Sequence, residues 1–305
     1  MALLADLVQN TLDGLALGSA YALLALGFTL IFGVLRRANL AYGPAIMLGA
    51  YAATWVHLRF HAGFVVLAAV TIAGAILAGA YVERLCFAPH GRRDRAGEAA
   101  AIASMVGSFA LWMQLEEIAT LWLPKHLYAF PPLYDGPPLA LGPFTLRVEY
   151  LAMLACALVA CSCLHRLLGG TRFGLAVRAV VDQADAARLA GINVPRVFFL
   201  VFALASALGG LAGYLIAAAH EQVTPMLGMW STLKGMIAMM LGGLGSLPGA
   251  VVGGLVLGLI ESHSQWLLGP QYRDLIAYLV LFVLLAVRPA GLWAMIRRRP
   301  EPAAV

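Results

Sequence analysis

Hydrophobic residues in this chain fall in long unbroken runs, not in alternation. Nine runs can be drawn, roughly 10–35, 43–58, 63–87, 99–123, 149–168, 196–219, 230–243, 249–268 and 274–290. A bilayer-spanning helix needs about 20 mostly apolar residues, a length that these runs meet repeatedly. In lipid a backbone must satisfy its own hydrogen bonds, which leaves a helix bundle or a closed barrel. Barrel strands alternate apolar and polar positions, and these Leu- and Ala-rich runs do not. The pattern predicts an all-α, polytopic transmembrane helix bundle of about eight to nine segments. The second and seventh runs are short and bounded by glycine and proline, the marks of half-helices that turn back.

The polar gaps are short, so residues 1–305 read as a single transmembrane domain. An outer loop, 124–147, carries Pro124, Pro131, Pro132, Pro137, Pro138 and Pro143, a density that excludes helix. The longest inner polar segment is 170–196. No gap is large enough for a nucleotide-binding domain.

Composition agrees: 62% of residues are hydrophobic and 11% charged, against about 25% charged in soluble domains. The net charge of +5 matters less than its placement. Arg36, Arg37, Arg84, Arg92, Arg93, Arg95, Arg166, Arg172, Arg178, Arg188, Arg196, Arg288 and Arg297 to Arg299 fall at one set of run ends. Only Arg59, Lys125, Arg147 and Arg273 fall at the other, and Lys234 lies inside a run. Basic residues mark the cytoplasmic face, which puts the N-terminus outside and the C-terminus inside. Arginines scattered over separate short loops are not a nucleic-acid surface. The cysteines Cys86, Cys156, Cys161 and Cys163 read as small apolar residues. The first ten residues lack the positive start of a cleaved signal peptide.

Glycines recur four apart at Gly14 and Gly18, Gly209 and Gly213, Gly249 and Gly253, and Gly254 and Gly258. That spacing lets helix backbones approach closely in lipid, although membrane helices are glycine-rich in general. In the inner segment, Gly174 and Gly191 bracket good helix formers, predicting one amphipathic helix over Leu175 to Ala190. Gly191 suits the left-handed position that ends a helix. Asn193 and Pro195 suit the start of the next. The helix carries Arg178, Asp182, Asp185 and Arg188. It is either a solvated connector or a docking element for a partner.

Asp185-Ala186-Ala187 followed by Gly191 resembles the Glu-Ala-Ala…Gly motif of bacterial ATP-binding-cassette (ABC) importer membrane subunits. The surrounding DAARLAGINVPRV resembles the LivH-type branched-chain amino acid permeases more closely. Further blocks agree in order: Gly14 to Tyr51, Leu241 to Ser262, and Arg288-Pro289-Ala290-Gly291-Leu292. The resemblance implies a transport subunit without catalysis of its own. It implies a second related permease subunit, forming a heterodimer, and an extracytoplasmic solute-binding protein. It also implies two cytoplasmic ATP-binding subunits that use ATP and magnesium, no cofactor in this chain, and a place in the bacterial inner membrane. The coupling residues it implies are Arg178, Asp182, Asp185, Ala186, Ala187, Arg188 and Gly191, with the helix acting as a lever. The expected solute is a branched-chain amino acid; other amino acids, amides and urea stay open. Departures exist: the family block Asn-Phe-Ala-His-Gly-Glu reads Asn39-Leu40-Ala41-Tyr42-Gly43-Pro44 here, and Asp13 stands where Asn is common.

Candidate path or joint residues are Asn39, Tyr42, Gly43 and Lys234, with Gly242, Gly243, Gly245, Ser246 and Pro248. The Gly242–Gly249 stretch is too rich in glycine for helix. It reads as a joint near the path or as an ordinary interhelical turn, and not as a phosphate loop, since no Lys-Ser/Thr follows. Lys234 either snorkels outward or joins a buried pair or path. Glu116 and Glu117 read as interfacial, and Glu261 could face the bundle. His57 and His61 are four apart and would share a helix face, but a zinc site would want Glu between them and a third ligand; on a helix Cys163 points away from Cys161 and His165. A self-powered secondary transporter or channel is the rival class, disfavoured because most charges lie at run ends; an intramembrane enzyme would need a catalytic constellation that the sequence does not offer.

Overall fold

The computed structural model describes residues 2–35, 37–88, 98–123, 127–134, 136, 139–141, 144–287 and 291–293. Arg36, Arg92, Arg93, Arg95, Lys125 and Arg297 to Arg299 of the charge pattern lie outside the described residues. So do Pro124, Pro137, Pro138 and Pro143 of the outer loop, and Arg288 to Ala290 of the C-terminal motif.

The chain is all-α. Its helices are α1 (Ala2–Leu35), α2 (Tyr42–Phe60), α3 (Phe64–Val82, continuing as a π-turn over Glu83–Phe87), α4 (Glu98–Trp122) and α5 (Val148–Gly170). Two short helices follow, α6 (Arg172–Asp182) and α7 (Ala184–Leu189). Then come α8 (Val194–His220), α9 (Met226–Gly242), α10 (Leu247–Leu268) and α11 (Arg273–Val287). The described part of each apolar run lies mainly on one long helix. By length and hydropathy, 6 described helices can cross a membrane: those beginning at Leu4, Phe64, Val148, Val194, Leu247 and Pro270. The described part of the outer loop holds short strands, β1 (Tyr128–Ala129), β2 (Leu139–Leu141) and β3 (Phe144–Leu146). β2 pairs with β3, and β1 pairs antiparallel with β4 (Gln222–Val223), tying the loop to the end of α8.

Helix α1 is the centre of the bundle, packed by α5, α8, α9 and α10; α2 packs on α3, α8 and α9. The glycine spacing explains how α10 comes so close to α1. A Cβ on Gly258 would lie 2.3 Å from the Gly18 amide nitrogen, and one on Gly254 2.4 Å from that of Ala22. Without side chains between them, the two backbones touch and gain dispersion contacts that lipid cannot supply. Apolar side chains on the rim, such as Leu77, Leu121, Val159 and Phe282, point outward, as a lipid-facing surface requires.

The bundle has two ends. One carries the α6–α7 elbow. The other carries the start of α1, where Gln9 exchanges hydrogen bonds with the Thr145 backbone, and the β1–β4 pair at the end of α8. Helix α2 does not start at the elbow end. The Tyr42 phenol reaches Gly27, eight residues before Leu35, or about 12 Å along α1 at 1.5 Å per residue. Helix α9 starts at similar depth, because a Cβ on Gly228 would lie 3.1 Å from the Pro44 Cα. Irregular backbone with buried Asn39 and Ala41 precedes α2 inside the bundle, whereas α9 follows the partly exposed Thr224 and Pro225 after β4. Gly43 and Pro44 fall in the first turn of α2. Proline costs no helical hydrogen bond there, so the pair starts a helix instead of breaking one.

Candidate functional site

The elbow differs from its expected form. The single helix over 175–190 is two helices separated by Gln183, whose backbone is extended at φ −154°, ψ 100°. Helix α6 starts earlier than Gly174 implied, because the Thr171 hydroxyl accepts from the Gly174 amide at 3.2 Å and caps it. It ends after Val180, Val181 and Asp182, weak helix formers in succession, with an acidic residue at the unfavourable C-terminal end. The Gln183 carbonyl then accepts the Ala187 amide and opens α7.

Helix α7 closes as its sequence suggests. Gly191 adopts φ +82°. Its amide donates to the Arg188 carbonyl, and that of Ile192 to the Ala187 carbonyl, both at 3.0 Å. This paired closure is a Schellman motif, which only glycine enters without strain. The Asn193 side chain accepts from the Arg196 amide at 3.1 Å and starts α8. Arg178, Asp182, Asp185 and Ala186 face outward, while Ala187 anchors α7 with 4% exposure. Asp185 and Arg188 pair at 3.1 Å. Leu189 beside them is 91% exposed.

The Asn39–Pro44 block is packed, not open. The Asn39 side chain accepts from the Ala41 amide at 3.1 Å, and the Gly43 amide donates to the Thr232 hydroxyl at 3.1 Å. Tyr42 is buried, donates to the Ala205 carbonyl at 3.0 Å, and meets Phe28 edge-on at 4.5 Å. Gly27 and Gly209 make room for its phenol. Asn39 and Leu40 border a cavity of about 200 Å³ near the elbow end with Phe28, Met236, Met239 and Met240.

Gly242 to Pro248 form a tight turn between α9 and α10. Gly243 and Gly245 have φ of +109° and +79°, and the Ser246 hydroxyl accepts from the Gly249 amide at 3.2 Å, with Pro248 in the first turn of α10. Gly291 of the C-terminal motif presses on Gly243, and the Leu292 amide donates to the Leu241 carbonyl at 2.8 Å. Gly291 and Leu292 thus pack on the Gly242–Gly243 side of the turn, while Leu244, Gly245 and Pro248 are exposed.

Charged residues of three consecutive helices, α9, α10 and α11, meet at one place. Lys234 on α9 is buried and pairs with Glu261 on α10, which is 1% exposed, and with Asp274 on α11 at 3.1 Å. Arg273 donates to Glu261 at 2.8 Å and to the Tyr21 hydroxyl at 2.7 Å; that hydroxyl donates to Glu261 at 2.9 Å. The Lys234 ammonium also sits 5.2 Å from the Tyr21 ring centre and 5.8 Å from that of Trp230. Lys234 therefore does not snorkel; it is drawn inward by two carboxylates. The cluster ties α1, α9, α10 and α11 together and floors a cavity of about 400 Å³. His220, Gln222, Gln265 and Pro270 stand exposed at its mouth, at the end opposite the elbow.

A family of branched-chain amino acid transport system permease components matches residues 10–285. The chain belongs to that family. The permease is 29% identical to the high-affinity branched-chain amino acid permease protein LivH of Escherichia coli, over 96% of both chains. It is 28% identical to BraD of Pseudomonas aeruginosa, also over 96% of both. A probable LivH of Methanocaldococcus jannaschii is 26% identical over 90% of both. A membrane bundle with a polar cavity fits a permease component.

The sequence marks Lys234 and Glu261 without indicating their partners. By position Arg273 falls with the outer-end arginines, and no motif marks Tyr21, Trp230 or Asp274. The usable signal was an acid–base pair, Arg273-Asp274, opening the last apolar run, together with unpaired charges in the two runs before it.

Proposed function

We propose that this permease is the membrane-spanning subunit of an ATP-driven bacterial importer for branched-chain amino acids, set in the inner membrane. Its elbow end faces the cytoplasm, with the N-terminus outside and the C-terminus inside. It pairs with a second related permease subunit, receives solute from an extracytoplasmic binding protein, and is driven by two ATP-binding subunits. Those subunits bind and hydrolyse ATP with magnesium; this chain performs no covalent chemistry and holds no cofactor. The branched-chain amino acid transport named for its relatives and the form of the elbow support this reading.

The observation that carries it is the exposed α7 segment. Asp185, Ala186, Arg188 and the 91%-exposed Leu189 form a small amphipathic knob. Caps at Thr171, Gly191 and Asn193 hold both ends, so a push on the knob is transmitted to α5 and α8 instead of being lost in loop motion. Closure of the ATPases moves this knob and switches the bundle between outward and inward openings.

The convergence of Lys234, Glu261, Arg273 and Asp274 inside the bundle favours the second reading, a self-powered transporter. These charges sum to zero and satisfy one another, which weakens that reading. A direct test replaces Gly191 with valine and, separately, Asp185 with lysine in the assembled complex. Valine at φ +82° distorts the motif, and lysine reverses the knob's charge. Uptake is expected to fall about tenfold or more, the scale of a 1–3 kcal/mol coupling, while each variant still inserts and ATP hydrolysis continues. Full uptake in both would refute the lever.

A further inference from the structure

The 400 Å³ cavity is chemically two-sided. One side is apolar: Leu24 of α1, Ile216 of α8, and Leu227 and Trp230 of α9. The other is ionic, with Arg273 and Asp274 side by side at the start of α11. Glu261 beneath them is fully engaged, its Oε1 by Lys234 and its Oε2 by Tyr21 and Arg273. It fixes the cations and has nothing left to offer a ligand.

Arg273 and Asp274 are not fully engaged. Arg273 spends Nε and Nη2 on Glu261 and Tyr21, and among the described residues its Nη1 meets no acceptor. Asp274 Oδ1 accepts from the Lys234 ammonium, and among the described residues its Oδ2 meets no donor; its side chain is 37% exposed. A free guanidinium donor and a free carboxylate acceptor on consecutive residues thus border the same space, facing an apolar wall. The four charges balance, so a ligand of net charge would leave the low-dielectric interior uncompensated. A zwitterion enters at no net cost in charge.

We propose that this cavity recognises an α-amino acid in its zwitterionic form. Arg273 takes the α-carboxylate, Asp274 takes the α-ammonium, and Leu24, Ile216, Leu227 and Trp230 cover an aliphatic side chain. Lys234, Glu261 and Tyr21 hold the two contact residues in place. The volume lies within the range of small-molecule sites, about 300–1,000 Å³, with an apolar lining and few placed polar groups. This inference rests on the permease reading and adds a place of recognition within this subunit, separate from any selectivity of the binding protein.

The test is equilibrium binding of radiolabelled leucine to the purified importer complex without its binding protein. Unlabelled leucine, isocaproate (carboxylate only) and isoamylamine (ammonium only) serve as competitors. Saturable leucine binding is expected, displaced by leucine and by neither half-molecule at equal concentration. Asp274→Asn and Trp230→Ala, each confirmed to co-purify with the complex, are each expected to weaken binding about tenfold or more, the scale of a lost charge-assisted contact. The same variants should raise the KM for uptake. Unchanged leucine affinity and unchanged KM in both would overturn the site, as would displacement by isoamylamine as strong as by leucine. A wild-type complex that takes up no leucine with ATP and binding protein would instead sink the proposed branched-chain importer function, so the two failures are separable.

Discussion

Replacing Glu261 with glutamine is expected to destabilise the folded permease by about 3–5 kcal/mol, the cost of leaving a buried charge without its partner. Glutamine keeps the size of the side chain and removes only the charge. Lys234 and Arg273 are then left with one carboxylate between them, Asp274. The Tyr21 hydroxyl loses its charged acceptor, and four helices lose their common tie. A loss of that size would consume much of the stability of an ordinary domain. The Lys234→Met, Glu261→Met double variant provides the control. It removes one charge of each sign, leaves Arg273 with Asp274, and is expected to recover much of the loss, because apolar replacement of a buried pair is often neutral. Thermal unfolding in mild detergent compares the three proteins. A Glu261→Gln protein as stable as the wild type would show that the cluster is not held together by charge.

Valine in place of Gly258 should separate α1 from α10. A Cβ there would meet the Gly18 nitrogen at 2.3 Å and the Gly14 carbonyl oxygen at 2.4 Å. Both are backbone atoms, so no rotamer change relieves the clash; the helices must move apart along their length. Overpacking in a core costs about 1–3 kcal/mol and sometimes more. Here the upper end or beyond is expected, since α1 also packs on α5, α8 and α9. Little folded protein should survive size-exclusion chromatography. Gly33→Ala is the matched control: the nearest atom to its added Cβ is the Gly245 Cα at 3.8 Å, ordinary contact. Alanine there is expected to be neutral or stabilising by up to about 1 kcal/mol. Equal yields from Gly258→Val and Gly33→Ala would contradict the packing account.

What was legible in the sequence follows a physical line. Apolar run length is a local property, and lipid imposes it directly, so the described part of each run lies mainly on a helix. Local capping was legible too: Gly191, Asn193 and Pro195 act where their backbone chemistry places them. The break at Gln183 was not. Gly174, Val177, Val180, Ala184 and Ala187 would share one face of an unbroken helix, so periodicity alone reads through it. Only the run of weak helix formers before Gln183 hinted at it. The ion cluster was hidden for another reason. Lys234, Glu261 and Arg273 lie on three consecutive helices and Tyr21 lies 240 residues from Glu261, and no spacing rule connects the four. The glycines were intermediate. Their four-residue spacing marked close packing, but the partnering of Gly14 and Gly18 with Gly254 and Gly258 emerged only from the fold. The unusual Tyr42 is likewise explained in three dimensions, by room at Gly27 and Gly209 and by the Ala205 carbonyl that receives its hydroxyl.

The most direct measurement is leucine uptake into sealed vesicles, made first with the purified permease alone and then with its partner permease, ATPases and binding protein. Accumulation should require all of these components and hydrolysable ATP, and should vanish when a non-hydrolysable analogue replaces it. Steady accumulation by the lone chain without nucleotide would contradict the claim that the α6–α7 elbow receives its work from a separate ATPase.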